Sequence, residues 1–326
     1  MFVLPLRQKE FAGGRSRMNI VVFGAGVQGT LYAVRLARAG HSVKLIARDR
    51  RADELRRMGA VIRDSATGRS DSVHLPVYDV LPNDLRADLC FVFVRREQID
   101  ASLDALTRAK AVDRFVWMVN HACGSEQIRQ GLGNNRVVLG FPGAAGSIQD
   151  GIDVYLDIPE QPTVIEASAP DVVTLLRGAG FKTQQVLDMD AWLMRHAVMI
   201  TAIACAILAR GGSALEVGSD RALVQDMILA IREGWRVLDG LHLAAAPLAL
   251  RAIFSWVPLH FATQYWSRLL RSDRGEVYFA HHTRRSVNEI RALVADVTVL
   301  ISNPNRAPRL SSLYSVLQTE SYSAAT

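Results

Sequence analysis

Short runs of consecutive apolar residues alternate with stretches of helical periodicity through the first half of the chain. Asn19–Phe23, Ser42–Ala47, Leu89–Val94, Phe115–Val119, Val137–Phe141 and Thr163–Ala167 read as strands. The LCFVFV run at Leu89–Val94 shows no polar alternation, as in a strand covered on both faces. Between these runs, Val27–Ala39, Asp53–Met58, Gln98–Ala109, Glu126–Leu132 and Pro170–Gly178 read as helices. Gly40, Gly59 and Gly133 end three of them. Strands alternating with helices predict an α/β domain with a doubly wound parallel sheet.

The pattern changes near residue 185. From Asp188 onward almost no strand signal remains. Asp190–Ala209, Ser219–Leu238, Pro247–Trp256, Phe261–Leu270, Gly275–Ile301 and Ser311–Leu317 read as helices, with breaks at Gly211–Gly212, Gly240, Pro258, Ser272–Asp273 and Pro304. The expected organisation is therefore a flexible extension at 1–17, a Rossmann-like α/β domain at 18–185 and an all-α domain at 186–326. Ala197–Ala209 is the most apolar stretch. It is shorter than the ~20 residues of a membrane span and is flanked by Arg195, His196 and Arg210, so a buried helix is expected there. The segment Met1–Arg17 has no long apolar core of the kind a secretory signal carries.

Composition adds limits. A chain of 326 residues with 49% hydrophobic and 21% charged positions is globular, which excludes a disordered or fibrous protein. The net charge of +6 is spread along the chain without a Lys/Arg block. An anionic small molecule explains that bias better than nucleic acid or a membrane surface. Cys90, Cys123 and Cys205 are three cysteines without a C-x-x-C spacing. They suit packing in a reducing cytoplasm rather than a disulfide framework or a metal site.

Chemistry enters at IVVFGAGVQG, residues 20–29. Gly24, Gly26 and Gly29 form G-x-G-x-x-G after a strand and at the opening of a helix. In that setting the first glycine makes the tight turn and the second lets backbone approach a pyrophosphate. The third lets helix and strand pack closely. Gly24, Ala25, Gly26, Val27, Gln28 and Gly29 are the expected dinucleotide contacts. The second strand ends in KLIARDR, so Arg48 stands where an acid would bind the ribose hydroxyls of NAD, with Arg50 and Arg51 close behind. A guanidinium suits a 2′-phosphate, and NADP(H) is the expected cofactor; Asp49 keeps NAD open.

The stretch GAGVQGTLYAVRLARAGHSVKLIAR resembles the opening of the ketopantoate reductase family. The later order also fits that family: VRREQ after LCFVFV, then VNHACG, then a Trp-led helix and a helical C-terminal domain. The resemblance implies an NADP-dependent reductase with a Rossmann domain, a helical domain, a cleft between them and homodimeric assembly. It also implies cofactor contacts at Arg95, Gln98 and Asn120. Arg95 stands where the family has Lys, and His121 stands where it has Gly, adding a titratable group beside Asn120.

The catalytic helix departs from the family pattern W-x-K followed by two Asn. Trp192 matches, but the Lys position falls on Met194, or on Arg195 if the register slips by one. The Asn positions fall on Met199 and Ile203, or on Val198 and Ala202. Asn288-Glu289-Ile290 resembles the family's T-E-I, which implies a substrate-side role for Glu289. On one continuous helix His282, Arg285 and Glu289 would share a face, with His281, Arg285 and Asn288 on its neighbour. Arg195, His282 and Glu289 are therefore the candidate catalytic groups. Trp192, His196, Met199 and His281 are the candidate substrate contacts, with His196 alternatively a core histidine. Met194, Phe254, Trp256, Phe261, Tyr265 and Trp266 are further candidates for an apolar pocket wall.

The expected function is reduction of a carbonyl or imine on a small, hydrophobic substrate. Two other readings stay open: an NADP-binding protein without hydride transfer, and a non-redox cyclase or lyase that reuses the cleft.

Overall fold

The computed structural model describes residues 17–241, 243, 254 and 256–319. Residues 1–16 of the expected extension at 1–17 and most of the expected helix Pro247–Trp256 lie outside the described residues.

β1 (Asn19–Phe23) lies inside an eight-stranded sheet, paired in parallel with β2 (Ser42–Ile46) and β6 (Ala87–Val92). Beyond β2 the sheet ends at β5 (Val77–Tyr78). Beyond β6 it continues through β7 (Val112–Trp117), β8 (Val137–Phe141), β11 (Thr163–Glu166) and β12 (Thr183–Val186). Alternate side chains of β1 enter two different cores: Ile20 and Val22 join one, and Val21 joins the other. Burial on both faces is why these strands read as unbroken apolar runs. The expected parallel order holds except at β11, which runs antiparallel to β8.

A second sheet was not expected from the sequence. β4 (Ser70–Val73), β3 (Ala60–Asp64), β10 (Ile152–Asp157) and β9 (Ala144–Gln149) are neighbours in that order. This sheet packs on α1 (Val27–Arg38). A Cβ on Gly146 would come within 2.8 Å of the Val27 side chain, so the sheet sits directly against the start of that helix.

After Val186 every regular element among the described residues is helical. α6, here Met189–Leu208, starts one residue before the expected Asp190–Ala209 and is apolar enough by length and composition to cross a membrane. Its window is 89% buried within the protein, so it reads as the central core helix. Arg221–Asp239 and Leu259–Leu270 pack around it with Val287–Ile301 and Pro308–Tyr314.

The expected single helix Gly275–Ile301 is broken. A π-helical turn, Glu276–Ala280, leads into His281–Arg285. Ser286 then leaves helical geometry at φ −127°, ψ 35°, and Val287–Ile301 begins anew. The face shared by i, i+3 and i+7 positions therefore does not exist as drawn from the sequence.

Candidate functional site

A cleft of about 1750 Å³ runs from the glycine turn after β1 to the helical region. Ordinary small-molecule pockets occupy roughly 300–1,000 Å³, so this volume suits a dinucleotide together with a second small molecule.

The glycine turn is fixed by sterics. Gly24 has φ +98°, and a Cβ there would sit 1.9 Å from the Phe93 carbonyl oxygen. A Cβ on Gly29 would sit 1.9 Å from the Gly24 carbonyl oxygen. Gly26 is different: nothing lies within 4 Å of its Cβ position, which opens toward the cleft. α1 starts at Val27 without a side-chain cap, leaving its first N–H groups to an incoming anion. Gln28 donates its side-chain amide to the Ala144 carbonyl at 3.0 Å, tying the turn to the second sheet. Ala25, Val27 and Gln28 line the cleft with the three glycines.

Arg48, Arg50 and Arg57 line the outer end of the cleft, and Asp49 does not. Arg51 has a structural task instead. Its Nε donates to the Ala25 carbonyl at 2.9 Å and its Nη2 to Thr30 Oγ1 at 3.1 Å, while Nη2 also pairs with fully buried Asp153. Burial raises the Asp153 pKa to about 6, against the pull of Arg51.

The segment after β6 presents Arg95, Glu97 and Gln98 to the cleft. The Arg95 backbone N–H donates to Gln98 Oε1 at 3.1 Å. Arg96 turns away and forks onto Asp296. Asn120 lines the cleft, and its buried Oδ1 has no hydrogen-bond partner. A bound group with an N–H or O–H at that point satisfies it. His121 corrects the expectation placed on it. It is wholly buried outside the cleft, and burial lowers its pKa to about 4.

On α6 the cleft face is His196, Met199 and Ile200, positions i, i+3 and i+4. His196 is a wall residue, kept neutral because burial lowers its pKa to about 4. Its Nδ1 is buried without a partner. Two α6 assignments fail. Arg195 points into the helical core, where its Nη2 reaches Asp239 at 2.9 Å and its carbonyl accepts from Trp235 Nε1 at 3.0 Å. It does not line the cleft. Trp192 also stands behind the wall, stacked on His196 at 5.0 Å with 7° between the rings.

Across from the glycine turn, His281, His282, Arg285 and Glu289 line the cleft. His282 Nε2 lies 3.6 Å from Glu289 Oε2. Desolvation, then Glu97, raise the Glu289 pKa to about 7, with Arg95 and the Arg96 backbone N–H opposing. Desolvation, then Arg95 and His281, lower the His282 pKa to about 4. A further stretch of wall is aromatic: Phe254, Tyr265, Trp266 and Phe279 line it, together with Phe141. Met194 is not among the lining residues, while Trp256 and Phe261 are 57% and 59% exposed and lie outside it.

Sequence reasoning missed Phe141, Arg57 and Phe279. Phe141 ends a strand at the cleft, a position that follows from the sheet order rather than from any motif. Phe279 lies within the expected helix Gly275–Ile301, where no motif singles it out.

A Rossmann-type sheet carrying a glycine-rich phosphate turn, with a helical region facing it across one cleft, defines a two-part NAD(P)-binding protein of the dehydrogenase and reductase class. Residues 20–165 match the family model described as ketopantoate reductase PanE/ApbA, and over that segment the chain is similar to that family. Solved structures agree on the fold. A 2-dehydropantoate 2-reductase from Geobacter metallireducens GS-15 is 13% identical with a TM-score of 0.74, over 92% of this chain and 99% of that one. A PanE/ApbA family ketopantoate reductase from Ralstonia eutropha JMP134 is 16% identical with a TM-score of 0.69, over 92% and 97%. A D-mandelate dehydrogenase, solved with NADH and anilino(oxo)acetate, is 12% identical with a TM-score of 0.70, over 92% and 97%.

Proposed function

We propose that the chain is an NADPH-dependent reductase that acts on the carbonyl or imine carbon of a small, largely apolar substrate. The observation that carries this reading is one continuous cleft. It joins the open space at Gly26 and the basic end at Arg48, Arg50 and Arg57 to the wall formed by Phe141, Met199, Phe254 and Trp266.

The residues fit a dinucleotide. Gly26 and the uncapped start of α1 accept a pyrophosphate, and Arg48 pairs with a 2′-phosphate. The unpartnered Oδ1 of Asn120 receives a donor from the nicotinamide end or the substrate. NADPH, when bound, supplies the hydride. The protein binds the cofactor, excludes water along the aromatic wall, orients the substrate and supplies a proton. The likeness to an enzyme solved with an aryl-substituted oxo acid supports a bulky apolar substrate.

Titration of the purified protein with NADPH and separately with NADH, followed by cofactor fluorescence, tests this reading. Tight NADPH binding and weaker NADH binding are expected, followed by NADPH oxidation with aromatic or branched 2-oxo acids. Failure to bind either nucleotide would overturn it. A second reading, NADP binding without hydride transfer, is favoured by one observation: among the described residues no lysine lines the cleft. Bound NADPH that no carbonyl or imine oxidises would establish that reading instead.

A further inference from the structure

Reducing a carbonyl to an alcohol takes a hydride at carbon and a proton at oxygen. With no lysine among the described residues lining the cleft and Arg195 turned into the core, the proton comes from another group. The titratable candidates on the wall facing the glycine turn are Glu289, His281 and His282, with Tyr265, Tyr278 and His196 farther along it.

Glu289 is set apart by its placement. It lies in the first turn of Val287–Ile301, is 8% exposed and still lines the cleft. The π-helical turn and the break at Ser286 re-aim the chain, so that His282 and Glu289 meet across the break, Nε2 to Oε2 at 3.6 Å. Insertions of π geometry into helices recur at functional sites. Ser286 Oγ sits 3.5 Å from His282 Nδ1. A hydroxyl proton directed at Nδ1 leaves the ring proton on Nε2, the nitrogen that faces Glu289.

We propose that Glu289 is the proton donor of the reaction and that His282 is its positioning partner and its route of reprotonation. The proposal rests on the reductase reading above. The proton leaves a Glu289 carboxyl oxygen and bonds to the substrate oxygen. The electron pair of the C=O π bond becomes the new O–H bond as the carbon accepts hydride, the cofactor's contribution. His282 then takes a proton from solvent hydronium at Nδ1, and the imidazolium so formed passes its Nε2 proton to the Glu289 carboxylate and returns to the neutral ring.

The groups around this pair agree with the assignment. Glu97 and Arg95 face Glu289 from the segment after β6, with the Arg96 N–H, and Arg95 and His281 act on His282. Their sum, with the burial of Glu289, places that carboxyl near neutrality, where a proton donor is efficient, while the half-exposed His282 keeps access to water.

The test uses the full-length protein with NADPH and phenylpyruvate as probe. Glu289→Gln is expected to lower kcat by about 10²–10⁴-fold with NADPH affinity unchanged, and Glu289→Asp to restore part of the rate. Wild-type kcat should fall as pH rises through about 7. In His282→Phe that fall should move to higher pH, because the N–H facing the carboxylate is gone. Independently of turnover, infrared difference spectra of the NADPH complex should show a protonated carboxyl that ionises across neutrality and is missing in Glu289→Gln. A Glu289→Gln enzyme with unchanged kcat and pH profile, or a carboxyl ionised throughout, overturns the proposal while leaving the reductase reading intact. A wild type that binds NADPH and reduces no carbonyl overturns the reductase reading, and the donor role falls with it.

Discussion

Arg96 and Asp296 form a two-pronged ion pair, Nε to Oδ2 at 2.5 Å and Nη2 to Oδ1 at 2.7 Å. Asp296 Oδ2 also accepts from the Ala122 backbone N–H at 3.2 Å. One carboxylate on the helix Val287–Ile301 thereby ties down both cleft segments of the α/β region, the one bearing Arg95 and the one bearing Asn120. Both partners are mostly covered, with 19% and 8% of their side-chain surface exposed. Asp296→Ala leaves a covered guanidinium without its counter-charge, a loss of about 3 kcal/mol or more. Urea unfolding should show that loss. Equal stability of the variant would mean the pair contributes nothing to holding the two regions together.

The glycines of the turn separate folding from binding. Gly24→Ala places a Cβ on the Phe93 carbonyl in a backbone conformation that alanine avoids, so the variant should be poorly folded. Gly26→Ala meets no protein atom within 4 Å, so its Tm should match wild type. Its methyl group projects into the space expected for the pyrophosphate, so NADPH affinity should drop by at least about tenfold, or ~1.4 kcal/mol. Fluorescence titration and a thermal melt on the same sample decide the matter. A Gly26→Ala protein that binds NADPH like wild type would show that the dinucleotide does not approach this turn.

The α/β half was legible because its strands are buried on both faces. Ile20–Val22 and Leu89–Val92 have no solvent side to interrupt the apolar run. The second sheet was illegible for the converse reason. β4 reads SDSV and alternates between exposed and partly exposed positions, and β9 reads AAGSIQ and buries only Ala144. The glycine turn could be placed to the residue because its sterics are local. Arg51 could not be assigned, since its partner Asp153 is 102 residues away. Arg195 misled for a similar reason. Its neighbours in sequence are apolar cleft and core positions, but Trp235 and Asp239 come from another helix and turn it inward. Glu289 was named from its resemblance to a family motif, and its pairing with His282 from a continuous helix that does not exist; across the break at Ser286 the two still meet.

Cofactor preference should rest on Arg48. It is exposed along the outer cleft wall, where Asp49 is absent and Arg51 is engaged by the glycine turn. A hydrogen bond to a charged group contributes about 1.5–3 kcal/mol, so Arg48→Ala should weaken NADPH binding by roughly 10–100-fold. NADH, lacking the 2′-phosphate, should bind the variant and wild type alike. Parallel loss of both nucleotides would place Arg48 against a shared part of the cofactor and would remove the basis for NADP preference.

Acid sensitivity should come largely from imidazoles. His121 and His196 are held neutral by burial, with pKa values lowered from 6.5 to about 4. As pH falls, the unfolded chain takes up these protons before the fold does. Their stabilisation is therefore fully present above pH 6.5 and is lost as pH drops through about 4. Glu289 works in the opposite direction: with its pKa raised from 4.5 to about 7, its contribution is present below 4.5 and lost as pH rises through 7. Asp153, raised to about 6, acts in the same direction as Glu289, and His282, lowered to about 4, acts with the other two histidines; three histidines outweigh two carboxyls in the shared window, so Tm should decline between pH 6.5 and 4. His196→Phe keeps an aromatic ring against Trp192 and removes one titration. The decline should become much shallower, because one of the few proton uptakes that outweigh the carboxyls is gone. An acid limb of unchanged depth in that variant would mean that His196 exchanges protons with solvent in the folded state as readily as in the unfolded chain.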